Sequence, residues 1–219
     1  MTLRRLGRCG VAAGALWAAA CSGGGTQPPG PPNDLVISGG DAQSWYFDNP
    51  LPTPLSVTVV DVSSRAVPGV VVTWSVASGG GAVSPLQSTT NASGVATTTD
   101  SVGSSTRQTV NATFTGLAGP VTFSEFATSP PTSVGVGVTS FVFTPRDTIV
   151  QSGGMVTWTW NSGSTPHNVS YTSGPAPLPT NSPDQSGTTT FSTTFTAVGT
   201  YTYHCSIHQQ MTGSVRVLH

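Results

Sequence analysis

The chain has 219 residues, a length that suggests one large or two small domains. Only 7% of the residues are charged, lysine is absent, and glycine and proline are frequent, a composition that suits short strands joined by turns. Because phosphate binding needs clustered basic side chains, this composition argues against nucleic acid as a partner.

The first residues of the chain indicate export. Three arginines precede residues 10–20, which are mostly small and apolar, and this order predicts a signal segment over 1–21 that is too short to span a bilayer as a helix. The run ends in Ala-Ala-Ala and Cys21, followed by Ser-Gly-Gly-Gly, and so resembles the lipobox of bacterial lipoproteins. The resemblance implies that Cys21 is lipidated and becomes the mature N-terminus. Ordinary signal cleavage and an N-terminal membrane anchor are the alternatives, since Ala18 replaces the preferred Leu.

Processing at Cys21 would change both the charge and the cysteine count. The mature chain would keep four arginines against eight acidic residues, so that membrane contact would come through lipid and not through a basic patch. Cys9 lies in the signal segment and Cys21 at the processing site, which leaves Cys205 as the one thiol of the folded body. An exported chain that keeps a single thiol either carries an oxidation liability or uses the sulfur.

A first all-β region follows a short spacer. Residues 22–33 are rich in glycine and proline and predict a linker that is flexible and then stiffer. From 34 to 128, β-branched runs alternate with turn-rich clusters, which predicts an antiparallel sandwich with Trp74 in its core. The predicted strands cover 55–62, 69–76, 95–100, 108–115 and 121–128.

Two stretches of this region, VVDVSSRAVPGVVVTWSVASGGGAVSP and TTNASGVATTT, resemble bacterial immunoglobulin-like domains of the invasin and intimin type. The resemblance covers most of residues 55–128 and implies an Ig-like β-sandwich over 34–128. Residues 129–135 are predicted to be a linker, because the Pro-Pro pair within them cannot donate ladder hydrogen bonds.

A second all-β unit is predicted over residues 136–219. Residues 147–160 (DTIVQSGGMVTWTW) predict two strands joined by a Gly-Gly turn, and they lead directly to His167 in the sequence PHNV. Another alternating strand over 199–205 places two tyrosines and Cys205 on one face, and it runs into CSIHQQM.

Four potential metal ligands lie in these two segments, namely His167, Cys205, His208 and Met211. A thiolate and two neutral imidazoles with a weak thioether suit both oxidation states of copper, whereas zinc has no need of the thioether. Each residue alone has an ordinary explanation, as an inert thiol, a surface histidine or a core methionine. Their order and spacing predict one type 1 copper ion that cycles between Cu(I) and Cu(II).

The segments PHNV and YTYHCSIHQQM resemble the ligand segments of cupredoxins of the plastocyanin and amicyanin group. The resemblance covers essentially all of 136–219 and implies a Greek-key β-sandwich. The Cys-x2-His-x2-Met spacing is nearer to amicyanin, although Ile207 and Gln209 replace the usual prolines. The resemblance also implies that Asn168 ties the two ligand loops together by hydrogen bonds, whereas His204 points outward by alternation and is not expected to be a ligand.

These observations predict an exported, lipid-anchored carrier that passes single electrons between redox proteins on the periplasmic or cell-surface side of a bacterial membrane. No substrate is expected to be transformed, because Met211 fills the position that a catalytic metal would leave open. The four histidines of the chain also cannot supply the additional clusters of multicopper oxidases. The alternatives are a structural or adhesive surface lipoprotein with ancillary copper binding, and periplasmic copper storage or delivery.

Overall fold

The computed structural model describes residues 27–219, and within this range every regular element is a strand. The predicted signal segment and Cys21 lie outside the described residues. None of the described residues forms a helix that could cross a bilayer. The strands are β1 Asp34–Gly39, β2 Ser44–Tyr46, β3 Leu55–Val60, β4 Val71–Ser78, β5 Gly81–Ser84, β6 Gln87–Thr89, β7 Val95–Val102, β8 Arg107–Thr113, β9 Val121–Thr128, β10 Ser133–Thr139, β11 Val142–Thr144, β12 Asp147–Gln151, β13 Gly154–Trp160, β14 Ser170–Ser173, β15 Thr190–Phe195, β16 Gly199–His204 and β17 Thr212–Leu218. The predicted all-β fold class is confirmed.

The first nine strands form two sheets, in the orders β1-β3-β7-β5 and β2-β9-β8-β4-β6. Their inward faces follow the period of two expected of strands: Leu55, Val57 and Val59 are buried while the residues between them are half-buried. Trp74 is 1% exposed and packs on Phe123 with a ring-centroid distance of 5.9 Å, so its predicted core position is confirmed. The similarity of this sandwich to Ig-like domains stays a prediction.

The described end of the predicted spacer lies against the first sandwich. The Gly30 N–H donates to the Asp61 carboxylate at 2.7 Å, and the Asn33 N–H donates to the Val60 carbonyl at 2.9 Å. Residues 27–33 are therefore held by a carboxylate that caps the turn after β3, a contact that the composition of the spacer does not reveal.

The last eight strands also form two sheets, in the orders β11-β10-β13-β15 and β12-β17-β16-β14. They enclose an aromatic core in which Trp158 lies 5.4 Å from Tyr203 and 6.5 Å from Phe195, measured between ring centroids. β10 begins at Ser133, inside the segment 129–135 that was predicted to be a linker.

The two strands of residues 147–160 occur as predicted, but they do not pair with each other. β12 pairs with β17 and β13 pairs with β10, both in parallel, so the chain crosses from one sheet to the other. Gly153, with φ of 82°, makes the turn, and Gly154 lies where a Cβ atom would meet a Val150 methyl carbon at 2.3 Å. Val150 and Val156 thereby bury their side chains in one core from opposite sheets.

The two sandwiches touch at the far end of β17. The Arg216 guanidinium lies 5.4 Å from the centroid of the Trp45 ring, and the His219 N–H donates to the Asn49 side chain at 3.4 Å. Thr212 begins the same strand directly after Met211. At about 3.4 Å per residue, β17 therefore separates the predicted ligand loop from the first sandwich by roughly 20 Å.

Candidate metal centre

His167 is held by its backbone in the connection between β13 and β14. Its N–H donates to the Gln185 carbonyl at 2.9 Å and its carbonyl accepts from the Gln185 N–H at 2.9 Å. That carbonyl also accepts from the Trp160 indole N–H at 3.1 Å. The imidazole is fully buried. The end of β13 thus fixes the first predicted ligand.

The other three predicted ligands come from one loop between β16 and β17. The loop closes on itself, because the Cys205 N–H donates to the Met211 carbonyl at 2.9 Å and the Met211 N–H donates to the His208 carbonyl at 2.8 Å. The His208 N–H donates to the Cys205 carbonyl at 3.1 Å. Cys205 and Met211 are buried and His208 is half-buried. Three donor side chains are therefore fixed by the pairing of two adjacent strands.

The donor atoms of His167, Cys205 and His208 form a compact triangle. The Cys205 Sγ atom lies 3.8 Å from His167 Nδ1 and 3.6 Å from His208 Nδ1, and the two Nδ1 atoms are 3.1 Å apart. A triangle with these sides has a centre about 2.0 Å from each corner, close to the metal–nitrogen distance of about 2.0–2.1 Å and the metal–sulfur distance of about 2.3 Å. Two imidazoles, one thiol and the neighbouring Met211 fit a type 1 copper site.

The surroundings favour the form of His167 that binds metal. Burial, and then the charge of His208, lower the pKa of His167. A neutral imidazole is the ligand form of histidine, so this burial disfavours protonation in competition with a metal. The Nε2 atom of the ring is buried without a hydrogen-bond partner among residues 27–219, and packing and the backbone therefore orient the ring.

Asn168 connects the two ligand segments. Its side-chain oxygen accepts from the Ser206 N–H at 2.8 Å, while its amide nitrogen donates to the Ser206 hydroxyl at 2.7 Å and to Asp184 at 2.6 Å. His204, in contrast, is half-buried on β16 and is not among the three side chains that converge. Asp184 was not singled out in the sequence, because nothing near it in the chain marks it as a partner of Asn168.

Phe141 contacts two of the predicted ligands, and sequence reasoning did not identify it. Its ring meets the His208 ring edge-on at 4.7 Å and the His167 ring edge-on at 5.7 Å, measured between centroids. The residue lies in the turn between β10 and β11 with φ of 63°, a conformation that bulky residues rarely adopt. This unusual backbone angle marks Phe141 as a special position, but it can be seen only in the structure and not in the sequence.

The second β-sandwich of the chain is similar to known proteins. The family model of copper binding proteins of the plastocyanin/azurin family matches residues 131–218. Amicyanin-alpha of Methylorubrum extorquens is 36% identical over 90 residues, which cover 41% of this chain and 75% of that protein. A purple cupredoxin from Nitrosopumilus maritimus is 26% identical, covers 38% of this chain and 98% of its own, and has a TM-score of 0.35. A reduced Cu(I) form of an amicyanin mutant is 30% identical to this chain and has a TM-score of 0.36. The match covers 39% of this chain and 81% of that chain.

The family match begins two residues before β10 and ends at the last residue of β17, so it includes both ligand segments. The similarity to amicyanin-alpha extends over three quarters of that protein. With this similarity and a donor set that fits one type 1 copper ion, the chain belongs to the cupredoxins, the copper-binding proteins of the plastocyanin/azurin family.

Proposed function

We propose that the protein is a blue copper electron carrier that passes single electrons between redox proteins. His167, Cys205, His208 and Met211 would hold the ion, and the bound copper would supply one-electron chemistry between Cu(I) and Cu(II). The observation that carries the proposal is the compact triangle of Sγ and two Nδ1 atoms with sides of 3.1 to 3.8 Å. Because backbone hydrogen bonds fix each donor, the protein supports one geometry in both oxidation states.

The half-buried His208 supplies the route for the electron. His167, Cys205 and Met211 are all buried, whereas His208 reaches the surface beside the exposed Ile207. Only the imidazole ring of His208 would separate the metal position from a redox partner that contacts this surface. The same burial supports a carrier over an enzyme, because three of the four donors offer no opening through which a substrate could reach the ion.

Export and attachment through Cys21 belong to the same proposal. They are supported by the order of arginines, apolar run and cysteine at the start of the chain. The separation of the ligand loop from the first sandwich along β17 would direct the copper site away from an anchored N-terminus. Loss of membrane fractionation in Cys21→Ser, with retained export, is the expected outcome, and unchanged fractionation would contradict lipid attachment.

Copper loading of the purified protein tests the central proposal. Addition of Cu(II) should give the intense visible absorption of a copper–thiolate bond, which should disappear on reduction and return on oxidation. Cys205→Ser should stay colourless, and Ser206→Ala, one residue further along the loop, should keep the colour. A colourless wild-type protein would refute the copper proposal. If the reduced protein passed copper, and not electrons, to an acceptor, copper delivery would replace electron transfer as the proposed function.

A further inference from the structure

A surface groove of about 360 Å³ borders the metal centre on the side of Met211. Phe141 and Val142 line one part of the groove, and its polar residues include Arg146 and Gln210. The groove is therefore formed by the β10–β11 hairpin, the entry to β12 and the end of the ligand loop. Its position beside Met211 places any molecule bound there next to the copper-binding side chains.

Arg146 differs from the other arginines of the described chain. Residues 27–219 contain four arginines and no lysine. Arg65 forms an ion pair with Asp61 at 2.8 Å, and Arg107 and Arg216 each lie over an aromatic ring, at 5.1 and 5.4 Å from the centroids. Among the described residues, Arg146 has neither an acidic nor an aromatic partner. Its guanidinium is thus the one cationic group available to a ligand in the groove.

Apolar side chains are exposed in the groove and beside His208. Phe141 is 58% exposed, Val142 is 46% exposed, and Ile207, beside His208, is 42% exposed. A contact that covers these side chains removes apolar area from water, and it also lowers the effective dielectric constant around Arg146. The surface therefore matches a partner that combines apolar side chains with a carboxylate, since a planar guanidinium binds a carboxylate in a bidentate way.

We propose that this groove receives an acidic side chain of the protein that exchanges electrons with the copper centre. The partner's carboxylate pairs with Arg146, while its apolar side chains cover Phe141, Val142 and Ile207 and bring its redox group towards His208. This inference rests on the proposed function. A single unpaired guanidinium is too little positive charge for a polyanion such as nucleic acid, whereas it suffices to orient one acidic residue at an apolar interface.

A redox-inert anion tests the groove independently of electron transfer. Hexacyanochromate(III) is added to the isotopically labelled protein, with and without Cu(I), and the paramagnetic broadening of amide signals is recorded. Broadening should concentrate on residues 141–146 and 210–212 and should fall severalfold in Arg146→Gln. Arg107→Gln is the matched control and should leave the pattern unchanged. Equal broadening in wild type and Arg146→Gln, or broadening centred elsewhere, would overturn the inference.

Electron transfer with small complexes tests the consequence for rate. Oxidation of the Cu(I) protein by hexacyanoferrate(III) should slow roughly tenfold in Arg146→Gln at low salt, because one attractive charge beside the site is lost, and the difference should shrink at high salt. Reduction of the Cu(II) protein by the cation hexaammineruthenium(II) should not slow. If the protein bound the anion in the groove but its copper did not cycle between oxidation states, only the proposed function would be refuted. If copper cycled normally and Arg146→Gln changed neither binding nor rate, only the proposal about the groove would be refuted.

Discussion

The side chain of Asn168 accepts a hydrogen bond from the Ser206 N–H at 2.8 Å, and this contact joins the two chain segments that supply the metal ligands. The two residues are 38 positions apart, so the bond closes a long section of the fold at the site itself. The donor bonds from the Asn168 amide to Ser206 and Asp184 complete the link. Asn168 lies directly beside His167, and Ser206 directly beside Cys205.

Asn168→Ala should weaken copper binding as well as the fold. The variant loses three side-chain hydrogen bonds, and removal of groups that orient metal ligands costs roughly 10- to 100-fold in affinity. The free energy of unfolding should fall by about 1–3 kcal/mol. Chelator competition measures the affinity, and urea denaturation of the metal-free protein measures the stability.

Asn181→Ala is the matched control for this variant. Asn181 also accepts from a backbone N–H, that of Tyr171 at 2.9 Å, but its hydrogen bonds do not reach the ligand loop. A comparable loss of stability without loss of copper affinity is expected. If both variants lost affinity equally, Asn168 would act through the general stability of the sandwich and not through the ligand segments.

The absence of a side chain at Gly213 makes room for the Tyr203 ring. The two residues face each other across β16 and β17, and a Cβ atom on Gly213 would lie 2.5 Å from Tyr203 Cζ and 2.7 Å from the Arg146 carbonyl oxygen. Gly213→Ala should therefore destabilise the second sandwich by about 1–3 kcal/mol, the usual effect of overpacking. Thermal unfolding measures this loss. Gly135→Ala, at a position with open space, should change stability little, and equal losses would contradict the steric argument.

The donor side chains of the candidate metal centre could be predicted from sequence because they lie in two short segments with fixed internal spacing. Strand periodicity likewise predicted residues 121–128, which form β9 with the same bounds. In contrast, periodicity alone does not show which strands pair. β12 and β13 show the alternation of residues expected of two strands in a hairpin. Each nevertheless pairs in parallel with a strand that is not its neighbour in sequence.

Contacts over long sequence separations account for the rest of what sequence reasoning missed. Phe141 meets His208 only because the β10–β11 turn and the ligand loop reach the same end of the sandwich. Gly30 meets Asp61 because the chain passes the turn after β3 before it enters β1. Neither residue belongs to a local pattern, so periodicity and motif spacing carry no information about its partner.

Asp61→Asn should release residues 27–33 from the first sandwich. The carboxylate accepts backbone hydrogen bonds from Gly30, Ser63 and Arg65, which lower its pKa from 3.8 to about 2, with the Gly30 bond as the largest cause. Because the folded pKa lies below the unfolded one, this stabilisation is complete above about pH 4 and is lost as the pH falls towards 2. Limited proteolysis at neutral pH should cut the variant faster within 27–33.

The control for this experiment is Asp34→Asn, since Asp34 accepts only from the adjacent Leu35 N–H. Its rate of cleavage within 27–33 should match that of the wild-type protein. Equal protection of the wild type and Asp61→Asn would mean that the segment is held by its other contacts and not by the carboxylate.

Glu125 should make the first sandwich less stable as the pH rises. Its carboxyl is buried on β9; one oxygen accepts from the Gln43 N–H at 2.7 Å, and the other has no partner among the described residues. Burial, and then the charges of Asp41 and Asp100, raise its pKa from 4.5 to about 7. The folded state therefore binds more protons than the unfolded state between these values, so the unfolding free energy should fall by about 3 kcal/mol from pH 4.5 to 7 and level off above.

Glu125→Gln, a neutral side chain of the same shape, should reduce this slope and raise stability at pH 8, whereas Asp48→Asn, at an exposed position, should do neither. Urea denaturation followed by NMR signals of the first sandwich measures both effects, and an unchanged slope in Glu125→Gln would show that another group carries the proton.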